Sequence, residues 1–311
     1  MTDHDIVIIG SGPSALTAAL YTSREELETV VYEKSIPGGQ VATTDWIDNY
    51  PGFIEGVKGI TLAENFKGQA ERFGAKIVYK GINTIRQDGN IIRLTDSQGV
   101  EISTKAVLIA TGSSYKKLHI PGEDTYHSIG VHYCATCDGA FYKNRRLVVV
   151  GGGNSAVQEA IFLTRFADHV DLIVRSTIKA SEVLKRSLEE MEDIITVHLN
   201  TTPDSIIGDD SGVKGVLVTD TTTNISRQID TDGVFVFIGL QPATDFLQGS
   251  NIALDDDGFI KTVTKHSTSV PGVFASGDVR SDSTRQIVSA AGDGGIAAGE
   301  IREYIEAWRA I

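Results

Sequence analysis

The residues best suited to chemistry are two cysteines followed directly by an acid. They are the only cysteines in the 311-residue chain and lie in the run Cys134-Ala-Thr-Cys137-Asp138. A Cys-x-x-Cys pair can close a reversible disulfide, and the first turn of a helix lowers the pKa of a thiol. A loop this small cannot serve as the disulfide framework of a secreted protein. The pair therefore predicts redox chemistry.

A zinc site is the structural alternative for this pair. Structural zinc takes about four ligands, and the sequence offers no second Cys-x-x-Cys and only His132 nearby. For Asp138 the alternative is a helix N-cap or turn residue, which is compatible with a chemical role. We therefore predict no metal site.

A strand followed by a glycine-rich turn occurs twice along the chain and must position any cofactor. Residues 6–9 and 147–150 are apolar runs, and each leads into a Gly-x-Gly-x-x-Ala motif. An apolar stretch of helical period follows each motif, over residues 15–23 and 156–166, and then a second strand, over residues 29–33 and 169–174. The residues of these motifs are Gly10, Gly12, Pro13, Ser14 and Ala15 in the first glycine turn (residues 10–15), and Gly151, Gly153, Asn154, Ser155 and Ala156 in the second glycine turn (residues 151–156).

Glycines at these positions allow a tight turn and a close approach of the backbone to a pyrophosphate at the helix N-terminus. Two matches in a strand-turn-helix-strand context predict two dinucleotide sites, whereas the structural alternative is a pair of tight turns in an α/β fold. The sequence therefore predicts an α/β fold with two Rossmann-like, doubly wound dinucleotide-binding domains.

Two acids follow predicted strands where they could bind a dinucleotide. Glu33 ends the strand after the first glycine turn, where a carboxylate can accept hydrogen bonds from ribose hydroxyls; an exposed strand-end glutamate is the alternative. Residues 273–278 read VFASGD, and this strand with Gly277 and Asp278 resembles the second FAD fingerprint of flavoprotein reductases.

The distance in sequence between these two FAD segments predicts a split domain. We expect the FAD-binding domain to comprise residues 1–113 and 245–311, with a second domain, residues 114–244, inserted between them. Residues 112–117 and 239–244 are rich in Gly, Ser and Pro, as connections between domains usually are.

Charge and hydropathy exclude several classes of partner. A formal net charge of −13 disfavours nucleic acid and anionic lipid surfaces. No apolar run of about 18 residues and no signal-peptide pattern is present, so we expect no membrane span and a cytoplasmic protein.

These motifs together resemble the low-molecular-weight, bacterial-type thioredoxin reductase family over nearly the whole chain. The run Cys134-Ala-Thr-Cys137-Asp138 looks like the active site of that family. The other segments that match in order and spacing are Gly38-Gly39-Gln40, Asn49-Tyr-Pro-Gly52, Ala110-Thr111-Gly112, Gly277-Asp278 and Arg285-Gln286. The resemblance implies FAD as cofactor, a thioredoxin-like protein as substrate and a homodimer.

The resemblance also assigns roles to the redox residues. By position, Cys137 is the sulfur next to the flavin, Cys134 is the interchange thiol, and Asp138 is the general acid that protonates the departing thiolate. It further implies a rotation of the inserted domain about its two connections.

The chain departs from the family where the second dinucleotide would be selected. An NADPH enzyme of this family carries His-Arg-Arg and a further Arg after the second glycine turn, because guanidinium groups bind the 2′-phosphate. Here Val174 and Ser176 occupy two of those positions, and only Arg175 and Lys179 remain as phosphate ligands.

Three donors therefore stay open: weakly bound NADPH, NADH, or a donor other than a nicotinamide, namely ferredoxin or a second flavin. The basic runs at residues 116–117 and 143–146 could form a patch for ferredoxin, with solvated surface as the alternative. Two other functions also remain: a non-catalytic flavin redox sensor, and a flavin-dependent NADP reductase, whose known relatives lack the Cys-x-x-Cys pair.

Overall fold

Runs of β-branched residues form the central strands because such strands are buried on both faces of a parallel sheet. The computed structural model describes residues 3–310. Up to the first connection the elements are β1 (His4–Ile9), α1 (Pro13–Arg24), β2 (Thr29–Tyr32), α2 (Gly59–Arg72), β3 (Lys76–Val78), β4 (Ile82–Asp88), β5 (Ile91–Asp96), β6 (Glu101–Ile109) and β7 (Ser113–Tyr115).

The later elements, in chain order, are β8 (Val131–His132), α3 (Ala135–Asp138), β9 (Arg146–Val150), α4 (Asn154–Leu163), β10 (His169–Ile173), α5 (Glu182–Glu189), β11 (Ile195–His198), β12 (Thr201–Asp209), β13 (Gly212–Asp220), β14 (Ile225–Asp230), β15 (Gly233–Val236), β16 (Leu240–Pro242), β17 (Val273–Ala275) and α6 (Ile287–Arg309). Short 3-10 helices cover Gly39–Thr43, Gly139–Tyr142, Asp245–Leu247 and Gly277–Val279.

The chain divides into two compact units. The first unit joins the residues up to Ser114 to those from Gln241 onward, and the second unit is Tyr115–Leu240. The two connections, β7 and β16, pair with each other as a two-stranded sheet.

The first unit is built on a seven-stranded sheet. Its order is β3-β2-β1-β6-β5-β4, and β17 pairs with β6. The pairs among β3, β2, β1, β6 and β17 are parallel, whereas β4 and β5 form an antiparallel meander with β6. On one face Ile6 and Ile8 pack in a core cluster with residues of α1 and α6, and on the other face Val7 and Ile9 pack with residues 252–279.

The second unit has the predicted parallel order in a smaller sheet. Its five strands lie in the order β11-β10-β9-β15-β8, and every pair is parallel. Strands β12, β13 and β14 form a separate antiparallel sheet that the sequence analysis did not predict. Both predicted strand-turn-helix units are present, and each lies in a parallel part of its sheet. The predicted α/β class with Rossmann-like domains is therefore confirmed.

One predicted helix is shorter than expected. Helix α4 ends at Leu163 rather than at residue 166. Arg165 and Phe166 each donate a backbone hydrogen bond to the residue three positions earlier, so the last turn tightens and stops. Within residues 3–310, no helix is both long and apolar enough to cross a membrane.

A partly buried cluster of charges supports the turn after β17. Asp293 of α6 accepts hydrogen bonds from the Gly277 amide, at 3.1 Å, and from the Arg280 guanidinium, at 2.8 Å. His266 Nε2 lies 3.4 Å from the Asp293 carboxylate, at ion-pair distance but without the alignment of a hydrogen bond. Burial alone would raise the pKa of Asp293, but the contacts with His266 and Arg280 lower it to about 2.

We expect Asp293→Asn to destabilise the protein by on the order of 2 kcal/mol near pH 6. The folded-state pKa lies below the unfolded value of about 3.9, so this stabilisation is present above about pH 4 and is lost as the pH falls toward 2. Urea unfolding of both proteins between pH 2 and 7 measures it. The exposed Asp257→Asn is the control, and a constant difference between wild type and Asp293→Asn across this range would contradict the argument.

Candidate active site

The two cysteines form a disulfide at the start of α3. Their sulfurs are 2.10 Å apart and their Cα atoms 5.3 Å apart. Cys134 is the N-cap of α3, and the Cys137 amide donates a hydrogen bond to its sulfur at 3.2 Å. Since hydrogen-bond donors stabilise a thiolate, this amide favours the ionised form of Cys134 after reduction. Among residues 3–310, no three His, Cys, Asp or Glu side chains are arranged to hold a metal ion.

Asp138 ends α3 and contacts a histidine that sequence reasoning considered only as a zinc ligand. Its Oδ2 lies 3.2 Å from His132 Nδ1. The other ring nitrogen, His132 Nε2, lies 2.7 Å from the Tyr142 hydroxyl. The Asp138 side chain is 29% exposed and that of His132 only 8%, so the acid is open to solvent and the imidazole is not.

Tyr142 stays a neutral hydroxyl in this arrangement. Burial, together with the negative charges of Asp138 and Asp232, raises its pKa to about 12. The one signal for this group in the sequence was a histidine in an otherwise apolar strand two residues before the first cysteine. Its pairing with Asp138 and Tyr142 depends on the turns of residues 133–142, which the sequence alone does not specify.

The first glycine turn lies at the carboxyl ends of parallel strands, where α/β proteins bind ligands. Gly10 follows β1 with a φ of +97°, and a Cβ atom there would lie 2.5 Å from the Ala110 carbonyl oxygen, so only glycine fits. Helix α1 begins at Pro13, and its N-cap Gly12 provides no side-chain cap. Ser14 and Ala15 are buried in the first turns of α1.

Glu33 directly follows the neighbouring strand β2 and is buried, not the exposed residue of the alternative interpretation. Only 8% of it is exposed. Its carboxylate accepts hydrogen bonds from the Ser11 hydroxyl, at 2.6 Å, and from the Ser35 amide, at 2.8 Å. Both contacts fix the carboxylate beside the first glycine turn.

The second FAD segment meets the first glycine turn directly, although they are far apart in the chain. The hydroxyls of Ser14 and Ser276 are 2.6 Å apart. Asp278 follows in the 3-10 helix Gly277–Val279 and accepts a hydrogen bond from the Ser283 hydroxyl at 2.8 Å. Burial raises the pKa of Asp278, and the Ser283 hydroxyl partly opposes that shift.

The remaining predicted FAD residues also lie in the first unit. The Ala110 amide bonds to the Ile9 carbonyl, and the Thr111 hydroxyl donates to the Ala243 carbonyl at 2.8 Å. The Gln40 side-chain amide donates to the Ser113 carbonyl, Asn49 Nδ2 donates to Gln286 Oε1 at 3.2 Å, and the Ala243 amide donates to the Gly112 carbonyl at 3.0 Å. The Arg285 guanidinium lies 5.1 Å from the centre of the Phe259 ring. Gly39 begins the 3-10 helix Gly39–Thr43.

Both glycine turns have room for a bound group. A Cβ atom built on Gly12 would meet no atom within 4 Å, and the same is true of Gly153. Helices α1 and α4 both begin there, and neither N-cap residue supplies a capping side chain. Free amides at a helix N-terminus, facing open space, fit an anionic pyrophosphate. The chain's own residues therefore fit a dinucleotide at each turn.

The loop after the second glycine turn offers few cations. Arg175, Ser176 and Lys179 are exposed. Val174, which replaces the family's imidazole, is only 2% exposed and packs against Gly152. Asn154 Oδ1 accepts a hydrogen bond from the Ser181 amide at 2.8 Å and so ties the second glycine turn to the N-cap of α5.

The basic runs considered for a ferredoxin patch are largely paired with acids. Lys117 lies 2.6 Å from Asp124, and Arg146 lies 3.4 Å from Asp171. Arg145 bonds to Asp232 at 3.2 Å. This pairing weakens the argument for a basic docking patch, because the local positive charge is neutralised.

Comparison with known proteins gives concordant matches. A profile of the pyridine nucleotide-disulphide oxidoreductase family matches residues 4–294. The thioredoxin reductase of Bacillus subtilis is 41% identical over 304 residues, covering 97% of this chain and 95% of that protein. The crystal structure of thioredoxin reductase from Streptococcus pyogenes matches with a TM-score of 0.91 at 38% identity, covering 98% of both chains.

A third match is another solved structure. The thioredoxin reductase structure from Giardia duodenalis matches with a TM-score of 0.93 at 32% identity, over 97% of this chain and 99% of that one. Fold, redox disulfide and relatives agree with the resemblance found in the sequence. The chain belongs to the low-molecular-weight thioredoxin reductases of the pyridine nucleotide-disulphide oxidoreductase family, and it is a flavin-dependent disulfide oxidoreductase.

Proposed function

We propose that this chain uses FAD to reduce thioredoxin or a similar small disulfide protein through Cys134 and Cys137. The observation that carries the proposal is the closed disulfide with Asp138 directly beside it. We further propose that residues 1–113 and 245–311 form the FAD-binding domain, that residues 114–244 form the inserted domain, and that the protein is a homodimer.

The FAD pyrophosphate would lie against the first glycine turn. Glu33 would bind a ribose and Asp278 the ribityl chain, because both carboxylates are held at the edge where the pyrophosphate would bind. When bound, FAD supplies the electron pair that opens the Cys134–Cys137 disulfide. The other FAD ligands are proposed by position: Gly39, Gln40, Asn49, Ala110, Thr111, Gly112, Gly277, Arg285 and Gln286.

The reduced dithiol then exchanges with the substrate. The Cys134 thiolate, stabilised by the Cys137 amide, attacks one sulfur of the substrate disulfide. A mixed disulfide forms, and the departing substrate thiolate takes a proton from Asp138. The Cys137 thiolate then attacks Cys134 Sγ, which releases the second substrate thiolate and restores the Cys134–Cys137 disulfide.

Anaerobic titration and turnover test this proposal. We expect thioredoxin to be reduced catalytically once FAD and a reduced donor are present. A protein that exchanges its disulfide once and does not cycle would be a redox sensor instead. Titration of the flavin absorbance with NADPH, NADH and reduced ferredoxin identifies the donor.

We predict poor discrimination between NADPH and NADH, or little reaction with either, because the exposed loop has only Arg175 and Lys179 for a 2′-phosphate. Ser176→Arg should then lower the KM for NADPH by about tenfold or more, since a charge-assisted hydrogen bond to phosphate contributes about 1.5 to 3 kcal/mol. The buried Val174 should be left unchanged, because histidine there would disturb its packing on Gly152.

Val183→Arg is the matched control for this variant, because it adds the same charge at an exposed position of α5. Wild type that already reacts with micromolar NADPH and ignores NADH would show that other residues bind the phosphate. If neither nicotinamide reacts and Ser176→Arg does not rescue the reaction, ferredoxin or a second flavin becomes the leading donor.

A further inference from the structure

The imidazole of His132 links the proposed acid of the redox site to a buried hydroxyl. Its Nδ1 lies 3.2 Å from Asp138 Oδ2 and its Nε2 lies 2.7 Å from Tyr142 Oη. Neither contact is needed to close the Cys134–Cys137 disulfide, so a purely structural account of the disulfide leaves this chain of three groups unexplained.

His132 lies outside the Cys134–Cys137 loop and is held by strand pairing and aromatic packing. Its backbone belongs to β8, where it pairs with Phe235 of β15. The Phe235 ring lies 5.1 Å from the imidazole, centre to centre, and Tyr142 meets both rings edge to face. A ring packed in this way presents its two nitrogens in fixed directions.

The two groups beside the imidazole together favour a proton on Nδ1, because the Asp138 carboxylate faces Nδ1 and the Tyr142 hydroxyl can donate to Nε2. Because the pKa of Tyr142 is raised to about 12 by burial, its hydroxyl keeps its hydrogen at neutral pH and can donate it to Nε2. A ring that accepts at Nε2 carries a proton on Nδ1, which lies 3.2 Å from Asp138 Oδ2, at ion-pair distance. That contact occupies Oδ2 and leaves Oδ1 as the oxygen that can carry and deliver a proton.

We propose that His132 is a positioning residue that holds the Asp138 carboxyl ready to protonate the departing thiolate, with Tyr142 fixing the ring tautomer. This inference rests on the proposed role of Asp138 as the acid. The ionisable groups facing the imidazole are Asp138 of α3 and Tyr142 of the following 3-10 helix; Asp232, before β15, acts on Tyr142.

Substitution of His132 by Asn or Gln tests the contact of each ring nitrogen separately. In His132→Asn the side-chain amide lies near the Nδ1 position and can still donate to Asp138, whereas in His132→Gln it reaches the Nε2 position and meets only Tyr142. His132→Leu removes both contacts. For thioredoxin reduction, we expect kcat to fall about tenfold in the Gln and Leu variants and at most threefold in the Asn variant. The KM of the Gln and Leu variants should stay within about twofold of wild type.

Equal losses in the Asn, Gln and Leu variants would show a packing role only and overturn the proposal. So would a Leu variant with wild-type kcat. Tyr142→Phe, which keeps the ring and removes the hydroxyl, should lose kcat by a few fold because the imidazole tautomer is no longer fixed. A Tyr142→Phe variant with wild-type kcat would refute that part.

A second measurement does not depend on turnover or on every variant folding. In the holoprotein labelled with ¹⁵N-histidine, the His132 Nδ1–H should give a downfield proton resonance that Asp138→Asn shifts or removes. Its absence in folded wild type would overturn the proposed contact. If wild type shows the resonance but does not reduce thioredoxin, the proposed function is wrong. The His132–Asp138 contact would then be confirmed, but it would not position an acid for catalysis.

Discussion

Cys134→Ser and Cys137→Ser should each lower protein disulfide reduction by at least on the order of 10³-fold. A serine hydroxyl is a far weaker nucleophile than a thiolate at neutral pH, and neither variant can close the disulfide seen between the two sulfurs. Steady-state turnover with thioredoxin measures the loss. The exposed Val183→Ser in the same unit is the control and should keep wild-type activity.

The two variants should differ from each other in the visible spectrum. The family resemblance implies that Cys137 is the sulfur next to the flavin, so Cys134→Ser should keep a thiolate-dependent absorbance change that Cys137→Ser lacks. The reverse pattern would exchange the two roles. Substantial turnover in either variant would refute the dithiol mechanism.

Gly12→Val should strongly weaken FAD binding while leaving the protein folded. Gly12 has a φ of −69°, which any residue can adopt, and a Cβ atom there would meet nothing within 4 Å. Valine therefore costs the protein little by itself, but it would occupy the space in which a pyrophosphate must approach the backbone. We expect a loss in FAD affinity on the order of 100-fold or more, measured by FAD fluorescence titration of the apoprotein.

Gly153→Val is the matched control, because Gly153 has a φ of −90° and equally open surroundings at the second glycine turn. It should bind FAD normally and lose whatever reaction with a nicotinamide the wild type shows. Gly10→Val would not be informative, since the Ala110 carbonyl lies 2.5 Å from the new Cβ and folding itself would suffer. Normal FAD binding by Gly12→Val would place the pyrophosphate elsewhere.

The fold was largely predictable because its signals are local. Runs such as residues 6–9 and 147–150 are long enough, and β-branched enough, to specify buried strands, and each glycine turn marks where a helix begins. The antiparallel sheet β12–β14 was missed because its outer strand β14 is mostly exposed and gives no apolar run.

The candidate site was predictable only in part, because the type of a residue does not show whether its side chain is buried or faces the site. Val174 was treated as a member of the phosphate-binding loop from its position, yet it packs inward against Gly152. His132 was noticed as a ligand type, but its partners Asp138 and Tyr142 follow from how the strand, α3 and the 3-10 helix fold onto each other. Contacts of this kind depend on tertiary structure, which local pattern reasoning does not supply.

The hydrogen bond between Ser14 and Ser276 has a consequence for biosynthesis. The first unit needs β17, inserted beside β6, and α6, packed on α1, before its sheet and core are complete. Because β17 and α6 are synthesised last, the continuous segment Tyr115–Leu240 can fold before the N-terminal strands have β17 and α6 to pack against. Translation that stops before residue 273 should therefore release a chain with one finished unit and one unable to hold a flavin.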